Sequence, residues 1–365
     1  MSDQIKSSET EYFSKFAISN SAIKDWKAMS PKAWHDRWIA KTAKRPARPA
    51  TTMGSLLDCI IFTPADYDKR FLVSETALPS PKVTLILNET FEHIRELNKN
   101  ITELNAKNKT NVPHKEYDLL DKELVVSFCK KHEHYPGKPD QAYNDVLKKD
   151  NGYFAFLASA KGRLVITAEQ KQAAEDLKKI LYTNPVSKPF LDPKKGCEVV
   201  FQQRIYAEYE LEGFENLDFL PIKGAIDIIH INHKSKTVRE VDLKLTDDAF
   251  LFEESIKRFD YIGQHSYYEP LVKYWLSTYK DGKYADYTIA NPLNLVMDDG
   301  LRIPYIYAYN ANDLEIKRKG IENTKIKGWE DVLREIAWHI DTQQWERPRE
   351  HYLNGFINVQ AFTRR

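Results

Sequence analysis

Cysteine is scarce in this chain of 365 residues: Cys59, Cys129 and Cys197 stand apart, with no C-x-x-C among them. Three thiols cannot complete a four-cysteine zinc or iron–sulfur site within one chain, so they read as reduced, mostly buried side chains. No apolar run reaches the roughly 18 residues that suggest a membrane-crossing helix, and none is expected. The opening MSDQIKSSETEYFSKF has no apolar h-region, so no secretory signal is expected either. Neither charge dominates: 54 Lys and Arg face 53 Asp and Glu. A polyanion would therefore have to be met by local positive charge. The clearest basic cluster is KTAKRPARP, with Lys41, Lys44, Arg45 and Arg48, which reads equally well as a solvated linker. The absence of G-x-x-x-x-G-K-[ST] excludes a fused nucleotide-driven motor.

What remains is a soluble, globular pattern long enough for a full core. Ser21 is placed to cap a helix through Ile23, Trp26 and Lys27, and Ser30-Pro31 to open another carrying Trp34 and Trp38. GSLLDCIIF (54–62) reads as a buried helix ended by Thr63-Pro64. Residues 75–150 alternate charged helical pieces, short apolar pieces (VTLIL, ELVVSF) and loop chemistry, and are expected to form a partly ordered insertion or lid. Thr167-Ala-Glu-Gln170 is a capping box before a helix with Ala173, Ala174, Leu177, Ile180 and Leu181 on one face. Strands are expected in EVVFQQRIYAEYE, KGAIDIIHI and TVREVDLKLT, and another in LRIPYIYAYN. Residues 250–278 are helical in pattern, with Pro270 expected to kink or end the helix. GWEDVLREIAWHIDT reads as an amphipathic helix.

The chemistry lies in residues 224–268. If 226–245 form a hairpin turning at Lys234-Ser235, Asp227 falls opposite Asp242, and directly opposed residues share a face. Lys244, two residues on, points the same way. A one-residue slip would undo the arrangement. Two adjacent carboxylates resist joint ionisation, a penalty that a divalent cation removes; two solvent-facing aspartates on an amphipathic sheet are the alternative. Asp-x-Lys alone carries little, since Asp176-x-Lys178 and Asp281-x-Lys283 also occur, as does Glu315-x-Lys317. None of these follows an apolar strand bearing Asp at hairpin distance. Gln264 and Tyr268 share a helix face at i, i+4. Glu198 could add a carboxylate or be a surface residue. His230, His233 and His265 are read as structural, because hard cations prefer oxygen.

In these residues the chain resembles a known family. Asp227…Asp242-Leu243-Lys244 is similar to the PD-(D/E)xK nuclease core. Gln264-x-x-x-Tyr268 resembles the QxxxY motif of the RecB and lambda-exonuclease branch. REVDLKLTDDA, GSLLDCIIFTPADYDKRFLV, KGRLVITAEQKQAAEDLKKIL and FAISNSAIKDWKAMSP resemble, in order, segments of exonuclease VIII (RecE-like) phage recombination nucleases. The resemblance spans residues 12–73 and 150–280. It departs from the family in lacking the motif's Pro, since Ile226 precedes Asp227, and in having Asp58 where the family often has His.

The resemblance implies an α/β fold with a restriction-endonuclease-like core, a central mixed sheet flanked by helices; a helical insertion is expected beside it. The expected division is residues 1–74 as the N-terminal helical part of a nuclease domain, 75–150 as an insertion or lid without a parallel in the family, and 151–365 as the core with a C-terminal extension. Asp227 and Asp242, with the Leu243 carbonyl, would hold Mg²⁺ (or Mn²⁺), and Asp58 and Glu198 would serve a second ion. Lys244 would orient or deprotonate the attacking water, and Gln264 and Tyr268 would position DNA or the active-site helix. Ser21, Lys41, Lys44 and Arg45 would meet DNA, Ser21 at the 5′-phosphate of an end. The implied activity is hydrolysis of double-stranded DNA from its ends, 5′ to 3′, in the cytoplasm of a bacterial host. A single-strand annealing protein and a homo-oligomeric ring are the implied partners, with no membrane. An endonuclease, or a catalytically silent DNA-binding or assembly module on the same fold, is the alternative.

Overall fold

The computed structural model describes residues 12, 14–43, 52–74, 77–117, 121–322, 324 and 326–357. The chain divides into two compact units, Thr51–Asp176 and the combination of Met1–Ala50 with Leu177–Arg365. The sequence-based division falls at 74 and 150. The apolar helix Thr52–Phe62 and residues 151–176 both group with the inserted unit.

The smaller unit has a hydrophobic core of its own. Helix Pro81–Asn108 has Pro at its first turn, where a missing N–H costs nothing. It buries Val83, Ile86, Leu87, Phe91 and Ile94, apolar positions three to four apart that form one helical stripe. VTLIL is thus part of a helix. Helices Lys122–Lys131, Pro139–Lys149 and Tyr153–Ala160 close over it with Val125, Cys129, Val146 and Phe154. Two short parallel strands, β1 (Phe71–Val73) and β2 (Leu164–Ile166), complete this unit.

The larger unit is built on a five-stranded mixed sheet flanked by helices, in the order β3 (Cys197–Glu210), β4 (Phe219–Asn232), β5 (Thr237–Thr246), β6 (Thr288–Asp298) and β7 (Pro304–Ala308). Neighbours run antiparallel except β5 and β6, which are parallel. Parallel neighbours need a crossover, supplied by helices Phe252–Phe259 and Tyr261–Thr278. The observed β4–β5 ladder runs from Asn232↔Thr237 to Ile228↔Val241, which is the expected register, and the next position along it is Asp227 beside Asp242. Both capping serines lie just outside their helices. Ser30 caps Pro31–Trp38, but Asn20–Ala28 is capped by Ser19, whose hydroxyl accepts from the Ala22 N–H, and not by Ser21.

Helix Tyr261–Thr278 passes through Pro270 without ending. The break falls earlier, at Asp260, which takes a left-handed conformation (φ +51°) and caps the second helix at the Gly263 N–H. The helix lies so close to β4 that a Cβ on Gly224 would stand 2.6 Å from Leu271 Cδ1 and 2.9 Å from Tyr268 Cε1. Glycine is what permits this approach. Trp26, Trp34, Tyr267, Trp275 and Ile336 join the apolar faces of β3 and β4 in one core.

Candidate active site

Asp242 is 4% exposed, and a carboxylate that deeply buried has to be satisfied by hydrogen bonds or paired charge. Its Oδ1 accepts from Gln264 Nε2 at 2.9 Å. Its Oδ2 accepts from Asn294 Nδ2 at 2.8 Å and pairs with the Lys244 ammonium. Asn294 reaches it because parallel pairing sets Asp242 beside Asn294 on β6. Tyr309 donates its hydroxyl to Asn294 Oδ1, which fixes the amide with its nitrogen toward the carboxylate.

Asp227 is half-buried. Its Oδ1 accepts from Gln202 Nε2 at 2.9 Å, and its Oδ2 from the Leu243 N–H at 3.1 Å. Lys244 stands between the two acids. Burial works against its charge, but Asp242 and Asp227 outweigh that effect and hold the ammonium above the ordinary lysine value. Its Nζ also lies 3.5 Å from the Leu243 carbonyl and 5.3 Å from the Tyr261 ring centre. Glu240, two residues before Asp242, pairs with the buried His265 at 2.6 Å, so this histidine serves the packing of the helix on β5.

The donors around Lys244 are oxygens of Asp227 and Asp242. Asp242 Oδ1 accepts one bond and keeps a lone pair for a ligand, whereas Oδ2 already meets both Asn294 and Lys244. Mg²⁺ commonly takes one or two carboxylates and completes its shell with water and substrate phosphates. The residues fit a hard divalent cation of that kind.

A cleft of about 780 Å³ opens onto Lys244, Gln264 and Tyr268. Lys15, Lys24, Lys27, Lys41, Lys223 and Arg258 line it, and among the described lining residues Asp260 is the one acid. That acid is engaged by Lys317 at 2.8 Å. Several of the ammonium groups are held by neutral carbonyls: Lys24 by Phe259 O at 2.5 Å, Lys41 by Ser14 O at 3.1 Å, and Lys223 by Tyr12 O and Lys15 O at 2.7 Å. A carbonyl fixes an ammonium without cancelling its charge, so the cleft is electropositive although the chain is almost neutral.

The structure brings Asp227, Asp242, Lys244, the Leu243 carbonyl, Gln264 and Tyr268 together, with Ser21 and Lys41 on the cleft wall. It does not bring Glu198 to them. Glu198 pairs with Ile231 in the β3–β4 ladder, four residues along β4 from Asp227, or about 13 Å. There it accepts from Tyr279, Lys280 and Tyr284. Asp58 lies half-buried on helix Thr52–Phe62 of the smaller unit. Among the described residues no group of three or more His, Cys, Asp or Glu side chains forms a metal cluster. Lys44, Arg45 and Arg48 lie outside the described residues. Sequence reading missed Gln202, Asn294 and Tyr309; the one available signal was the polar Asn294 within the apolar LNLVM run.

No family model and no curated protein matches this chain. Among the described residues no helix is long and apolar enough to cross a membrane.

Proposed function

We propose that this chain is a divalent-cation-dependent nuclease that hydrolyses DNA from duplex ends. The observation that carries the reading is the buried Asp242 with Asp227 and Lys244, the lysine itself lining a cleft whose walls are cationic. The order of elements supports it: an antiparallel β3–β4–β5 meander, a helical crossover and a parallel β6 is the order expected of a restriction-endonuclease-like core. A cation held by Asp227, Asp242 and the Leu243 carbonyl would supply positive charge to the scissile phosphate and lower the cost of forming hydroxide.

The chain's own residues have separable tasks in this reading. Lys244 donates to the attacking water and to the phosphate oxygen on which charge develops. Gln264 and Asn294 hold the Asp242 carboxylate in one plane. Lys24, Lys41 and Arg258 take the phosphates of the strand on either side, a sequence-independent grip that weakens as salt rises.

The test is digestion of linear duplex DNA labelled at its 5′ or its 3′ end, with Mg²⁺ or with chelator, beside a covalently closed circle. Early Mg²⁺-dependent release of the 5′ label with the circle intact supports the reading. Cutting of the circle favours the endonuclease instead. Binding without any cleavage favours the silent module and overturns the proposal.

A further inference from the structure

Gln202 sits in the middle of β3 with φ +48°. Among the described residues it is the one non-glycine residue inside a strand that adopts the left-handed region; the others lie in turns and at helix ends. Side chains other than glycine, asparagine and aspartate enter that region at a cost. Strain of this kind persists where the surrounding structure imposes it, and it clusters at functional sites. The pairing of β3 with β4 passes from Phe201↔Ile228 to Gln203↔Ile226. The position it skips is the one opposite Asp227. From there Gln202 Nε2 donates to Asp227 Oδ1 at 2.9 Å, while the Leu243 N–H holds Oδ2 at 3.1 Å.

We infer that Gln202 is a positioning residue: its turned backbone and its carboxamide together fix the plane of the Asp227 carboxylate for a divalent cation. The inference rests on the cation-dependent reading proposed above. A neutral amide suits the task because it orients the carboxylate without cancelling the charge that attracts the ion, whereas a lysine there would compete with it. Partners of this kind, one shell away from a cation, typically change affinity 10–100-fold when removed. Glycine would relieve the backbone strain and would serve better if stability alone were at stake.

That opposition of signs gives the experiment. Gln202→Gly and Gln202→Ala are compared with the parent chain and with Asp227→Asn. Mn²⁺ affinity is measured by electron paramagnetic resonance, and thermal melting is followed in chelator. The expected result is a melting point for Gln202→Gly at or above that of the parent, with Mn²⁺ affinity 10–100-fold weaker. Gln202→Ala, which keeps the strain and loses the donor, should show the same loss of affinity. Parental Mn²⁺ affinity in both variants, with affinity lost in Asp227→Asn, overturns the positioning role and leaves the cation reading standing. A fall in melting point together with affinity in Gln202→Gly overturns it as well, by making Gln202 a structural residue. If the parent chain itself binds no Mn²⁺, the cation reading falls and takes this inference with it.

Discussion

Gln264 donates through Nε2 to Asp242 Oδ1 at 2.9 Å, from the second turn of a helix to the centre of a strand 22 residues earlier. The glutamine of the Gln-x-x-x-Tyr pair is therefore bound to a carboxylate of the site. Tyr268, one turn on, lines the cleft and rests against Gly224. Replacing Gln264 with Leu should weaken Mn²⁺ binding about 10–100-fold, measured by titration calorimetry, and should lower stability in chelator by about 1–3 kcal/mol, since it strips a hydrogen bond from a buried carboxylate. Unchanged affinity would instead assign Gln264 to contact with DNA alone.

Lys244 compensates two carboxylates at once, so its removal has an effect that depends on the cation. Lys244→Ala should abolish nucleotide release from linear duplex, a loss of about 10²–10³-fold or more. In chelator the variant should also be less stable by about 2 kcal/mol. That is below the loss for a fully buried pair, because 24% of the Lys244 side chain remains exposed. Mg²⁺ should restore part of that stability, since it relieves the same repulsion. Denaturant melts with and without Mg²⁺ check this, and full digestion by the variant would sink the assigned role.

The part of the site that was legible in the sequence is the part fixed by local counting. Asp227, Asp242 and Lys244 follow from a short turn and a two-residue period, and the observed ladder has the register that the turn implies. Gln264 and Tyr268 follow from helical spacing. Glu198 could not be placed this way. The connection between β3 and β4 runs through the irregular residues 211–218, and loops of that length do not fix a register. Asn294 was out of reach for a similar reason, since its pairing with Asp242 is set only after a 52-residue separation. Gln202 is harder still, because nothing in a strand pattern announces a left-handed glutamine. The Ser19 cap and the continuous helix at Pro270 turn on packing against the rest of the larger unit, where tertiary contacts override local preference.

Asn294 and Tyr309 should act as a pair on Asp242. Asn294 is fully buried, and the Tyr309 hydroxyl decides which way its amide points. Tyr309→Phe removes only that hydroxyl and should weaken cation affinity about tenfold. Asn294→Ala should do at least as much, and the double variant should be little worse than Asn294→Ala, because the tyrosine acts through the amide. A double-mutant cycle on Mn²⁺ affinity measures this. Strictly additive losses would mean that the two residues act independently.

Glu198 should prove to be a stability residue with a pH signature. Burial pushes its carboxyl up, but hydrogen bonds from Lys280, Tyr279 and Tyr284 outweigh burial and hold it below the ordinary glutamate range. A depressed value in the folded chain means that the charged form is favoured by folding. This contribution is fully present above the unfolded value, near pH ~4.3, and is lost as pH falls through the folded value. Glu198→Gln should therefore lower stability at pH 7 by roughly 1–2 kcal/mol, and the gap to the parent should close as the medium is made more acidic than about pH 4. Denaturant melts across that window measure the gap. Mn²⁺ affinity should be unchanged at pH 7, because the ladder sets Glu198 about 13 Å along β4 from Asp227. If Glu198→Gln instead lost Mn²⁺ as Asp227→Asn does, Glu198 would return to the cation site and the register of β3 would have to be wrong.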